Sequence, residues 1–253
     1  MKKILTIAAT AVLLSSCAIL GGINWDAGQL TAAAGNAMTA ASITNAQVIE
    51  LSKQAVAQLD ATNTIDNGTY AARLNKLMKN VKVNGLDLNY KVYITKEINA
   101  FACGDGSIRV YSGLMDVMND SELMAIIGHE IGHVVHQDTR TAMKKAYMTA
   151  AARDVVNAAG AVGQIAQTSL GDLAESYVGS QFSQKQEYAA DDYGFKFAID
   201  NGFSSYSMYN ALNKLVQMSN GSSYSLVQKM FSSHPDSASR AEKMKAKAAA
   251  FKK

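Results

Sequence analysis

The chain has 253 residues, 48% of them hydrophobic and 18% charged, which is enough to bury one sizeable core. Its 24 lysines and arginines stand against 21 acids, so there is no electrostatic case for nucleic acid as a partner. Two cysteines, one of them close to the N-terminus, exclude a disulfide framework.

Met1-Lys2-Lys3 opens the chain, followed by an apolar stretch from Ile4 to Leu14 and then Leu14-Ser15-Ser16-Cys17. A positive start, a short apolar region and small residues before a cut describe a secretory leader over residues 1–16, too short for a stable membrane span. Leu-Ser-Ser-Cys also resembles the lipobox of bacterial lipoproteins, and by that resemblance Cys17 is the lipid-modified first residue of the mature protein. Several acyl chains on one residue anchor stably where one does not. The alternative is an ordinary leader with a chance cysteine. Ala18, where inner-membrane lipoproteins carry aspartate, then implies the outer membrane, with the body facing the periplasm. Residues 17–43, rich in Ala, Gly, Asn and Thr, read as the lipidated N-terminus and its tether, and residues 44–253 as one domain. Cys103 is then the sole remaining thiol; its apolar neighbours Phe101 and Ile108 favour burial over an intermolecular bond.

Thr44 and Gln47 form a capping-box pattern ahead of helically spaced Val48, Leu51, Ala55, Val56 and Leu59, and a second helix is expected from Tyr70 to Lys79. The period then changes to two. Leu88, Tyr90, Val92 and Ile94 alternate with polar positions, and Asn99-Ala100-Phe101-Ala102 and Ile108-Arg109-Val110-Tyr111 flank the turn Gly104-Asp105-Gly106. This predicts a small antiparallel sheet. Its edge at Asn99, Ala100 and Phe101 is a candidate for pairing with an extended peptide, the plain alternative being that the sheet only covers a helix.

A short helix over Ser112 to Met118 leads to Asn119, which with Glu122 makes a second capping box before His129-Glu130-Ile131-Gly132-His133. Four residues on an α-helix turn a side chain only about 40° and raise it about 6 Å, so both imidazoles project from one face and can grip one ion. Glu130, on the flank of that face, can deprotonate a water beside the ion without being a ligand. Leu123, Ile127, Ile131 and Val134 or Val135 form an apolar stripe, which predicts an amphipathic helix lining a cleft. His136 reads as a cleft-edge residue rather than a further ligand.

Residues 141–181 are rich in Ala, Gly, Gln and Ser; the charge-free run Val155 to Gly171 holds too many polar groups for a bilayer span. One or two helices that cover the site are expected here, as a lid or as ordinary packing. A helix from about Phe182 to Asn201 carries Glu187 and Asp191 four apart on one face, with Asp192 directed elsewhere as a surface acid. His234-Pro235 starts the last helix, with Asp236 in its first turn. The fold class is thus α+β, mainly helical, with the metal helix packed on the small sheet and further helices around the cleft.

Five segments occur together: Asn99-Ala100-Phe101-Ala102, Val110-Tyr111-Ser112-Gly113-Leu114, His129-Glu130-Ile131-Gly132-His133, Glu187-Tyr188-Ala189-Ala190-Asp191, and Ser233-His234-Pro235 with Arg240. In that order they resemble the HtpX and CAAX-protease-like family of zinc metallopeptidases, gluzincins, and within it the periplasmic lipoprotein branch. The resemblance implies one zinc ion per chain held by His129, His133 and Glu187. It also implies that Asp191 accepts a hydrogen bond from a ligand histidine, and that His234 and Arg240 sit near the metal, to stabilise an oxyanion or, for His234, to occupy the open position at rest. The reaction implied is hydrolysis of peptide bonds in unfolded or misassembled envelope proteins, with Glu130 taking the proton of the attacking water and returning it to the leaving amine. A zinc-stabilised binding or assembly lipoprotein without catalysis is the alternative. Cys103 departs from the residue usual after the Asn-Ala-Phe-Ala segment.

Overall fold

The computed structural model describes residues 44–145, 180–221 and 223–252. The leader, Cys17, the tether and most of the expected covering segment at 141–181 lie outside the described residues. Helix α1 (Asn45–Thr62) starts from the expected capping box: the Gln47 amide donates to Thr44 Oγ1, and the Thr44 amide donates to the Gln47 side chain. Helix α2 (Thr69–Met78) buries Leu74 and Met78. Strands β1 (Asn89–Tyr93), β2 (Ala100–Ala102) and β3 (Ser107–Tyr111) follow, then the short α3 (Ser112–Val117).

The sheet is mixed, which corrects the antiparallel expectation. Its order is β1-β3-β2, with β2 antiparallel to β3 around the Gly104–Gly106 turn and β1 parallel to β3, Asn89 opposite Ser107 and Tyr93 opposite Tyr111. Alternation fixes which face of a strand is buried, not which strand lies beside it. Residues 94–99 carry the chain past the end of β3, so β2 lands on the far side and becomes the edge that lies against the metal helix.

That helix, α4 (Asp120–Val135), begins at Asn119 with both hydrogen bonds of the second capping box. Every residue from Glu122 to Val134 is buried, so the expected amphipathic helix is instead the central rod of the main core. The cause is its content: Leu123-Met124-Ala125-Ile126-Ile127 leaves no polar face, and such a helix must be covered on all sides. Covering it are the sheet, α5 (Gln184–Asp200) and α6 (Ser207–Ser219), with α7 (Tyr224–Ser233) and α8 (Ser237–Ala250) beyond.

α4 and α5 cross closely because glycine stands at the contact. A Cβ on Gly128 would come within 2.7 Å of the Phe197 ring, and one on Gly194 within 2.6 Å of the Ala125 carbonyl oxygen. A smaller second core joins α1 to the other face of the sheet through Val48, Val56, Tyr93, Phe101, Cys103 and Tyr111, and Cys103 is fully buried there as expected. Asp60 of α1 ties the two together by accepting from Lys91, Tyr93 and Arg109. Among the described residues, no helix is long and apolar enough to cross a membrane.

Candidate metal centre

His129 and His133 project from α4 toward the first turn of α5, where Glu187 lies, and toward His234 in the turn between α7 and α8. The backbone N–H of Glu187 donates to the Ser183 carbonyl, and the positive end of the helix dipole favours an anion there. His129 Nε2 and His133 Nε2 are 3.1 Å apart; Glu187 Oε1 is 3.5 Å from His133 Nε2, and Glu187 Oε2 is 3.7 Å from His129 Nε2. His234 Nδ1 is 3.2 Å from His129 Nε2 and 3.1 Å from Glu187 Oε1. All four side chains are buried.

These spacings fit a metal. A tetrahedral ion bound at about 2.0–2.1 Å separates its ligand atoms by roughly 3.3–3.4 Å. The tautomers agree with the distances. Asp191 Oδ1 lies 2.9 Å from His129 Nδ1 and Asp138 Oδ2 lies 2.9 Å from His133 Nδ1, so each Nδ1 is a donor and each Nε2 faces inward, the nitrogen whose lone pair a metal takes once it carries no proton. Charge agrees as well. Glu130, Asp138, Glu187 and Asp191 are four buried carboxylates, and among the described residues Arg240 is the one buried guanidinium that pairs with any of them, with Glu187 and Asp191, a surplus that a cation relieves.

Burial lowers the proton affinity of His129 more than Asp191 raises it. For His133 burial also pulls downward, but the hydrogen bonds with Asp138 and Glu187 outweigh it and push the imidazole up to about 9. Asp191, despite its burial, is held down at about 2 by Arg240 and His129, and Glu187 is held far below the usual carboxylate range by His234 and His133. The anions that hold a proton on His133 are the same ones that favour a metal at its lone pair.

The other expected residues fall as follows. Glu130 is buried beside this group, its Oε1 without a hydrogen-bond partner among the described residues and 3.5 Å from His234 Nε2. Arg240 does not point at an open position: its Nε and Nη2 donate to Asp191 at 2.8 and 2.6 Å, and Nη1 pairs with Glu187 Oε2 at 2.5 Å. It therefore braces two carboxylates from behind, with Nε, Nη1 and Nη2 each directed at a carboxylate oxygen. Asp192 is half-exposed and pairs with Lys247. His136 lies outside the group with its ring against Tyr193. Pro235 and Asp236 precede α8 rather than open its first turn, and Asp236 takes a left-handed conformation.

Asn99 is buried with its Oδ1 unpartnered among the described residues. Phe101 turns away, into the second core against Tyr93 and Tyr111, so its ring is no part of the site. Asn99, Phe101 and Cys103 carry the hydrogen bonds to β3, which directs the backbone groups of Ala100 toward the outer edge.

Sequence reasoning missed Asp138, Gln186 and the face of Phe182. Gln186 Nε2 donates to Asp138 Oδ1 at 2.8 Å, and Phe182 stacks on His133 with ring centroids 3.9 Å apart. The signal for Gln186 was present as a Ser183-x-x-Gln186 capping box, which the structure forms. No periodic signal marks Asp138, which lies beyond the end of α4 after the left-handed Gln137.

Comparison with known proteins adds a second line of observation. The sequence model of Peptidase family M48 matches residues 65–248. Metalloprotease LoiP of Escherichia coli (strain K12) is 41% identical over 242 residues, covering 93% of this chain and 94% of that protein. Metalloprotease YcaL of the same organism is 36% identical over 256 residues, covering 99% and 98%. The beta-barrel assembly-enhancing protease of Yersinia pestis is 29% identical over 157 residues, 57% of this chain and 32% of that protein.

Proposed function

The chain belongs to peptidase family M48 and is a metalloprotease, and from that premise we propose that it is a zinc metalloendopeptidase acting on unfolded or misassembled envelope proteins at the outer membrane. The observation that carries the site is the convergence of His129, His133 and Glu187 from two helices, with Glu130 beside them. Two imidazoles and one carboxylate are the donor set of a catalytic zinc site. A zinc ion bound there polarises the scissile carbonyl and lowers the pKa of water.

The protein's own groups do the rest. The unpartnered Oε1 of Glu130 accepts the proton of the attacking water and hands it to the leaving amine. Asp191 and Arg240 hold His129 and Glu187 in place. The outer edge of β2 at Ala100, next to α4, is the place we infer for an extended substrate to pair as an added strand. Support for the cellular setting comes from Lys2, Lys3 and the Leu14-Ser15-Ser16-Cys17 run, which read as a leader and lipid attachment at Cys17, and from a relative named for β-barrel assembly.

His234 completes a four-donor group, which favours a resting state in which it closes the open position. The same observation favours a second reading, a zinc-stabilised binding or assembly lipoprotein. Glu130→Gln separates the two. Under the enzyme reading the variant keeps its zinc and its cleavage of an unfolded protein falls by about 10²- to 10⁴-fold or more. If the variant cleaves as the wild type does, or supports the cell as well as the wild type while deletion does not, the enzyme reading fails.

A further inference from the structure

Asp138 and Gln186 form a hydrogen-bonded relay from the cap of α5 to His133. Gln186 spends its amide twice: Oε1 accepts from the Ser183 backbone and hydroxyl at 2.9 and 2.7 Å, while Nε2 donates to Asp138 Oδ1 at 2.8 Å. Asp138 Oδ2 in turn takes the Nδ1 proton of His133 at 2.9 Å. Both oxygens of Asp138 are thus engaged, and the residue is 6% exposed. Gln137 makes the geometry possible, since its left-handed conformation (φ 61°) turns the chain back at the end of α4 and returns Asp138 beneath its own histidine. Phe182, on the other side of Ser183, stacks on the His133 ring at 13° between planes.

We propose that Asp138 and Gln186 are positioning residues for His133, tying its tautomer and ring orientation to the start of the helix that presents Glu187. This rests on the reading of His133 as a metal ligand. His129 and His133 are then oriented by different means. Asp191 is locked by the permanent charge of Arg240, whereas Asp138 is held by a neutral amide that also caps α5. A charged acceptor at Nδ1 makes the opposite nitrogen a better donor to a metal, and losing such a partner costs about 10- to 100-fold in affinity. Because Gln186 and Glu187 are adjacent, the relay also sets the relation between two ligands from two helices.

The test is zinc affinity of the full-length protein, measured by competition with a chromophoric chelator, beside the visible spectrum of the cobalt(II) form and the melting temperature of the metal-free form. Asp138→Ala is expected to weaken zinc binding by about 10- to 100-fold and to shift the cobalt bands, with Asp138→Asn, which keeps an acceptor, in between. Gln186→Glu keeps the cap, because glutamate serves that position as well as glutamine, but sets an acceptor against Asp138. It is expected to weaken zinc binding to a smaller degree with the metal-free melting temperature preserved. Asp192→Ala, on the exposed side of α5, is the control and leaves affinity unchanged. Wild-type affinity and cobalt bands in both Asp138→Ala and Gln186→Glu overturn the proposal. Absence of stoichiometric zinc from the wild type overturns the reading of the site itself.

Discussion

Arg240, 2% exposed, shares its guanidinium between Asp191 and Glu187, and this makes a buried cluster of acids tolerable. Removing it leaves Asp191 with His129 and Glu187 with the histidines, and takes away the permanent positive charge that both buried carboxylates share. Arg240→Met is therefore expected to cost about 3–5 kcal/mol in urea unfolding of the metal-free protein, whereas a loss below about 1 kcal/mol would show that the charges are not interdependent. The proton on His133 gives a second expectation. Its pKa is raised to about 9, so the metal-free imidazole is protonated at pH 7, and the stability it lends is complete below its ordinary value of 6.5 and lost as the pH rises through 9. A metal must displace that proton. Calorimetric titration of zinc at pH 7 in buffers of different ionisation enthalpy should show about one proton released per ion, and no release would contradict the assignment.

Helices α4 and α5 carry the site between them, and their close crossing decides whether Glu187 reaches the histidines. Gly194 lies against the His129 backbone as well as the Ala125 carbonyl, so Gly194→Ala must push the helices apart. The expected cost is about 1–3 kcal/mol, together with weaker zinc binding; an unperturbed melt and affinity would mean that the crossing is loose. Much at this scale is legible in the amino-acid sequence. The capping boxes at Thr44 and Asn119 mark helix starts because cap and partner are three residues apart, and His129 and His133 share a face for the same local reason. What a local pattern does not carry is which elements meet. The parallel pairing of β1 with β3 depends on the path of residues 94–99, and the Asp138 contact on one left-handed residue. Arg240 and Asp191 are 49 apart in sequence, so the brace they form is not visible there, although both residues are. The apolar run before His129 is what makes α4 central rather than cleft-lining.

The two cores of the described residues are joined by the sheet, and Asp60 clamps α1 to it. Burial would raise this carboxyl, but Arg109, Lys91 and Tyr93 hold it down at about 2 against an ordinary 3.8. A depressed acid stabilises the fold above its unfolded value and loses that contribution as the pH falls toward the folded one. Melting of the wild type should therefore become steeply pH-dependent between about pH 4 and 2, and Asp60→Asn should flatten that limb. Equal slopes would exclude Asp60 as a source of acid sensitivity. For the molecule as a catalyst, everything depends on one ion being gripped jointly by α4 and α5. Elemental analysis of the purified protein and of His129→Ala and Glu187→Ala is the most direct measurement. The account predicts about one zinc per wild-type chain and almost none in either variant; zinc retained in full by both variants would contradict it.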